Sequence, residues 1–186
     1  MSVTESTTQL APIGTWSADP VHSHVAFEVA YAGVNTFRGG FTDFTATLVS
    51  SEGGTTLEGT AKVASVDVKD EQMNAHLQTP DFFDAERHPE IRFTARELRK
   101  LADGRVEGSG ELTIKGVTQP VELTGRVADA PTVDPFGRER LGLRLETTID
   151  RTAFGVSWNA PNQGGGDYLG NDVAIVAELA LIRQAG

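Results

Sequence analysis

The chain of 186 residues has no cysteine. Disulfide staples, thiolate zinc sites and cysteine nucleophiles are therefore excluded. Basic side chains are scarce, 16 against 26 acidic ones, giving a net charge of −10 and a pI near 4.8. A surface of that sign repels phosphate backbones and anionic membranes, so nucleic acid is not an expected partner. No apolar run reaches bilayer-spanning length, so no transmembrane segment is expected. Met1 to Thr15 offers neither a basic n-region nor an apolar h-region, and the chain as given reads as soluble and cytoplasmic. Enzyme signatures are missing too: there is no Gly-x-Ser-x-Gly elbow, His-Glu-x-x-His pair, Walker loop or Gly-x-Gly-x-x-Gly turn.

What is present is alternation with a period of two. Val25, Phe27, Val29 and Tyr31 share one parity, and Phe44, Ala46 and Leu48 alternate with threonines. The same pattern recurs through Leu57, Ala61, Val63; Ile91, Phe93, Ala95; Val106, Leu112, Ile114; and Val121, Leu123, Val127. It ends with Leu141, Leu143, Leu145, Ile149, and then Val173, Ile175, Ala177, Leu179, Leu181. These are eight one-sided strands, with a short ninth around Thr15 to Ala18, and the fold class is all-β. A parity flip between Val63 and Val66 predicts a bulge, and the pattern slips again between Arg96 and Leu98.

One interval, Asp70 to Glu90, does not alternate. Met73 and Leu77 stand four apart, which predicts a helix over 70–78. A second helical turn is expected over 80–86, with Thr79 as its N-cap and Pro80 at the first helical position. Asp129 to Arg140 reads as a long hairpin loop. Residues 1–13 read as a disordered N-terminal tail and 14–186 as a single domain.

Folding a chain of this mass buries about 70 % of its extended surface, enough for a core without staples. Eight antiparallel strands hide their edges completely by closing into a barrel. Strands of about eleven residues tilted by about 40° make that barrel roughly 28 Å tall. Small residues interleave with the inward aromatics, which points to an apolar tunnel, although a flattened sandwich gives the same alternation.

Four segments stand out in collinear order. They are Asp19-Pro20-Val21-His22-Ser23 before Val25-Ala26-Phe27-Glu28-Val29, and Asn74-Ala75-His76-Leu77 followed by Pro80-Asp81-Phe82-Phe83-Asp84 and His88-Pro89-Glu90-Ile91-Arg92-Phe93. The third is Gly110-Glu111-Leu112-Thr113-Ile114-Lys115-Gly116-Val117-Thr118-Gln119-Pro120-Val121. The last is Ile149-Asp150-Arg151 with Phe154-Gly155 and Trp158. Together they resemble the YceI-like family. The resemblance implies an eight-stranded lipocalin-like barrel with a helical segment beside one end. It also implies a long amphiphile held inside, typically an isoprenoid quinone or a prenyl phosphate. Tyr31 stands where many members carry histidine, and Ala153 where aspartate precedes Phe-Gly. Both departures bear on the ligand's polar contacts rather than on the fold.

On this footing Phe27, Val29, Tyr31, Phe44, Phe93, Leu112, Ile114, Leu143, Leu145, Phe154 and Trp158 are expected to line the tunnel. His22, Arg38, Asn74, His76, Leu77, Phe82 and Phe83 are expected at its mouth or in a lid over it. Each buried methylene contributes about 0.8 kcal/mol, so a few isoprene units outweigh one good hydrogen bond. No cofactor is expected beyond the lipid itself, and no metal, since the four histidines lack a recognisable ligand spacing. The expected function is non-catalytic carriage or storage of an isoprenoid amphiphile, with room for a homodimer. Its alternatives are a fatty-acid or xenobiotic scavenger with the same tunnel, and a small lipid-modifying enzyme using His22 or His76.

Overall fold

The computed structural model describes residues 9–185. Its strands are β1 (Gly14–Ala18), β2 (His24–Tyr31), β3 (Asn35–Phe41), β4 (Phe44–Ser51), β5 (Gly54–Lys62) and β6 (Val66–Asp67). After helix α1 (Glu71–Leu77) come β7 (Glu90–Arg96), β8 (Arg99–Lys100), β9 (Arg105–Ile114) and β10 (Val117–Val127). The chain finishes with β11 (Thr132–Val133), β12 (Glu139–Asp150) and β13 (Leu169–Arg183).

Eight of these strands close an antiparallel ring in the order β12, β10, β9, β7, β5, β4, β1, β13 and back to β12. The fifteen-residue β13 makes closure possible. One of its edges pairs with β12 from Asp172 to Ile182. The other edge is shared: β1 takes Leu181 to Arg183, and β2 takes Leu169 to Glu178. The β2–β3 hairpin thus continues the wall beyond the end of β1, and β6 extends it through Gly40↔Asp67 and Phe41↔Val66.

The eightfold barrel is as expected, but its membership differs. The short strand β1 belongs to the ring, and β3 was not foreseen because Arg38-Gly39-Gly40 breaks its alternation. The flip at Val63 is a 3-10 turn, Val63–Ser65, rather than a bulge. That turn points both Val63 and Val66 into the core. The slip after Arg96 is a true bulge. Between Ala95↔Gly110 and Arg99↔Glu107 one strand uses four residues against three, and Glu97 takes φ +87° to absorb the extra one.

Helix α1 begins one residue later than expected because Asp70 is its N-cap, its carboxylate accepting from the Met73 N–H at 2.8 Å. The second helical turn does not form. Thr79 donates its hydroxyl to the His76 carbonyl at 2.6 Å instead of capping, and Asp84 at φ +52° interrupts the path. Residues 78–87 run as linked turns. The long loop before Arg140 contains β11, paired with Glu139 and Arg140.

Residues 9–13, expected in a disordered tail, are instead packed and hydrogen-bonded against the barrel. Leu10 and Ala11 are buried, Ser50 donates to the Ala11 carbonyl at 2.7 Å, and Trp16 Nε1 donates to the Pro12 carbonyl at 3.1 Å. Apolar cover for the barrel end outweighs the chain entropy there. Residues 1–8 lie outside those described.

Packing is uneven along the barrel axis. At the end bearing β1, the side chains of Trp16, Leu48, Val106, Leu143 and Leu181 are each at most 2 % exposed and fill the interior. An ion-pair network ties the rim of this end. Arg140 donates to Asp134 at 2.7 Å and to Asp19 at 2.9 Å, and His22 Nδ1 meets the same Asp19 oxygen at 2.7 Å. Hydrogen bonds from His22, then Arg140 and the Val21 N–H, hold the Asp19 carboxyl well below the usual carboxylate range. The Arg138 N–H does most to hold Asp134 there.

A folded-state pKa below the unfolded one stabilises the fold above the ordinary carboxylate pKa of about 3.9 and loses that stabilisation as pH falls through it. Urea midpoints measured from about pH 6 to pH 3 are therefore expected to decline on acidification. In a variant carrying Asp19→Asn and Asp134→Asn the decline should be shallower and the neutral-pH midpoint lower. An unchanged acid slope would remove the network from this account.

Candidate ligand site: an apolar well beneath helix α1

The other end of the barrel is hollow. It holds a cavity of about 270 Å³ whose walls are almost wholly apolar. The space arises from small residues set opposite large ones, or opposite each other, across neighbouring strands. Phe44 faces Ala61, Ala46 faces Gly59, and Gly59 faces Phe93. Gly39 works in the same way, since a β-carbon there would lie 2.6 Å from the Phe27 ring, which therefore lies across the glycine. These residues alternate in correct β parity yet cannot fill a ring of eight strands.

Of the expected wall residues, Phe27, Val29, Tyr31, Phe44, Phe93, Leu112, Ile114, Leu145, Phe154 and Trp158 surround the cavity. Leu143 does not. It lies one step further towards the filled end, opposite Leu179 and Val127, and belongs to the solid core. Inward parity identifies the face of a strand but not the height along the barrel, so parity alone cannot separate Leu143 from the wall of the well.

The segment carrying α1 covers the well with Met73, His76, Leu77, Phe82 and Phe83. His76, Phe82 and Trp158 form an aromatic cluster with centroids 5.0–5.4 Å apart, and Phe83 meets Phe41 edge-on at 5.8 Å. His76 Nε2 also pairs with Asp81 at 3.0 Å. The segment is pinned at Pro80, whose carbonyl accepts from Lys115 Nζ at 2.6 Å. Lys69 and Asp84, at either side of it, both have positive φ.

Three residues expected at the mouth lie elsewhere. His22 is exposed at the opposite, filled end, beside Asp19 and Arg140. Arg38 points outward from β3 to pair with Glu28 at 2.7 Å. Asn74 faces backbone, its side-chain oxygen accepting from the Val68 N–H at 2.8 Å. In each case a local polar partner takes the side chain away from the apolar interior.

Two polar groups that the alternation did not reveal do border the well. Tyr168 sits beside Tyr31, the rings 4.8 Å apart and edge-on, with their hydroxyls hydrogen-bonded to each other. Arg151, which precedes Phe154 and Trp158 in sequence, is buried, with 6 % of the residue exposed, and borders the same cavity. Its Nε donates to the Gly170 carbonyl at 2.8 Å, and its Nη1 donates to the Val156 and Trp158 carbonyls at 2.8 and 2.9 Å. Burial pushes its pKa down from the ordinary arginine value. Arg151 was present in a recognised motif, but an arginine directly after a strand reads as surface. Tyr168 follows the Gly164–Gly166 turn, where no periodicity marks it.

The chain has only two tyrosines. The hydrogen bond to Tyr31 pushes the Tyr168 phenol up from its ordinary value. In Tyr31→Phe, absorbance titration reads Tyr168 alone and should place its pKa closer to about 10. An unshifted value would mean that the two hydroxyls are not coupled.

Comparison with known proteins agrees with this architecture. The solved structure of BcnA from Burkholderia cenocepacia superposes with a TM-score of 0.73 at 22% identity, covering 90% of this chain and 99% of that one. A polyisoprenoid binding domain from Saccharophagus degradans, implicated in plant cell wall breakdown, superposes with a TM-score of 0.67 at 13% identity. That match covers 91% of this chain and 98% of the other. In sequence, the UPF0312 protein ECA1782 of Pectobacterium atrosepticum is 30% identical over 166 residues, 88% of this chain and 82% of its own length. The family described as YceI-like domain matches residues 16–181, and with the closed barrel, the hollow end and the collinear motifs this places the chain in that family.

Proposed function

We propose that the protein binds an isoprenoid amphiphile, a quinone or a prenyl phosphate, in the well beneath α1 and carries or stores it unchanged. One observation carries this reading: a closed barrel keeps an apolar cavity open at one end while packing the other end solid. Apolar space of this kind favours apolar ligands over water. The polyisoprenoid-binding name of the Saccharophagus domain supports the same class of ligand.

The cavity is larger than the ~150 Å³ apolar void that accepts benzene, and sits just below the ~300–1,000 Å³ of drug-sized sites. It accommodates a few isoprene units as it stands. A longer chain must project through the mouth or displace the α1 segment, whose flanking positive-φ residues are natural pivots. The histidines support binding without chemistry. His76 is occupied by two aromatic rings and Asp81, and His22 lies at the far end of the barrel.

Organic extraction of the purified protein followed by mass spectrometry is expected to release an intact prenyl lipid. Phe27→Arg places an unpaired charge in the wall and should abolish uptake while circular dichroism shows a folded barrel. Undiminished uptake by that folded variant would overturn the reading. Phe82→Ala should speed exchange of a bound fluorescent lipid more than it lowers the thermal midpoint, and equal effects on both would mean that Phe82 is plain core.

A further inference from the structure

The well is lined by apolar side chains, yet a guanidinium borders it. Three carbonyls take up Nε and Nη1 of Arg151, and Nη2 has no partner at all. Among the described residues it is the one buried side-chain nitrogen or oxygen left without a hydrogen bond. Leaving such a group unmade costs more than a typical hydrogen bond contributes, and a charged group costs most. No carboxylate serves Nη2 as a hydrogen-bond partner. Asp150 and Asp167 act on Arg151 only through space, and Asp150 is occupied by the N–H and hydroxyl of Thr152. Elsewhere in this acidic chain arginines find carboxylates readily, as Arg38, Arg140 and Arg144 do.

The three carbonyls also fix how the guanidinium is presented. They come from Val156, Trp158 and Gly170, in two segments that border the well through Val156, Trp158 and Leu169. A planar fork held on two of its nitrogens has its third pre-aimed, so little side-chain entropy remains to be lost when an acceptor arrives. Gly170 lies two residues after Tyr168, whose hydroxyl and that of Tyr31 border the same cavity. Since one of these hydroxyls donates to the other, one proton of the pair is left to offer a ligand.

We infer that Arg151 is the head-group anchor of the well and that the bound amphiphile carries an anionic oxygen, carboxylate or phosphate, which accepts from Nη2. This rests on the proposed lipid-binding role and narrows it. Affinity comes from the apolar walls, and selection among amphiphiles of equal chain length comes from Arg151. An anion there completes the guanidinium's hydrogen bonds and supplies a directly bonded counter-charge, where Asp150 and Asp167 act only at a distance.

The test uses three probes of one chain length, dodecanol, dodecanoate and dodecyl phosphate, each displacing the neutral dye N-phenyl-1-naphthylamine from the full chain. The anionic probes should bind roughly tenfold to a hundredfold more tightly than dodecanol, the range of a charge-assisted hydrogen bond. Whichever anion binds tighter identifies the natural head group as carboxylate or phosphate. Arg151→Gln, checked for folding by circular dichroism, should lose the preference, read as the ratio of each anion's affinity to that for dodecanol in the same protein. The wild-type comparison decides even where that variant fails to fold. Equal affinity for all three probes overturns the anchor and leaves lipid binding standing, as does a folded Arg151→Gln protein that keeps the preference. Failure of every probe to displace the dye overturns lipid binding, and the anchor with it.

Discussion

Closure of the ring through β13 is the constraint from which everything else follows. A single fifteen-residue strand serves two neighbours on one edge and β12 along the other, so a hairpin and a short N-terminal strand occupy successive stretches of the same wall. Once closed, the ring has a fixed circumference, and its interior volume no longer depends on which side chains point inward. The residues then decide only where that volume is filled. Large ones at the β1 end fill it with Trp16, Leu48 and Leu181, whereas Ala46, Gly59 and Ala61 leave it open at the other.

The polar groups follow the same division. At the filled end, charges gather on the rim, where Asp19, Asp134, Arg140 and His22 pair with one another and stay clear of the core. At the hollow end the polar groups are few and set into the wall. Arg151 is held by carbonyls, and Tyr31 and Tyr168 hold each other. The first arrangement ties loops together and needs no ligand. The second contains a donor that the protein does not satisfy.

Much of this could be read from the residues in order. Period-two alternation is a direct consequence of strand geometry, so the all-β class and most of the wall residues follow from Phe27, Phe44, Phe93 and their neighbours. What could not be read has specific causes. β3 hides behind Gly39 and Gly40, whose missing side chains erase parity, while Gly39 makes room for the Phe27 ring and Gly40 for the Val25 carbonyl. Leu143 has the right parity and the wrong height, a coordinate that only the register with Leu179 supplies. His22, Arg38 and Asn74 look like mouth residues until their local partners are seen. Arg151 is the converse case, a charged residue whose burial depends on carbonyls from segments 5 to 19 residues away in sequence.

The Trp16 plug has a kinetic corollary. A pipe open at both ends lets cargo thread through, so loading and unloading can proceed by separate doors. A blind shaft has a single doorway, and whatever goes in tail first must back out along the same path, its head group crossing the threshold last on arrival and first on departure. Microscopic reversibility then binds the two rates to one barrier, so in the proposed carrier role delivery and receipt of a lipid would both take place at the same face of the barrel.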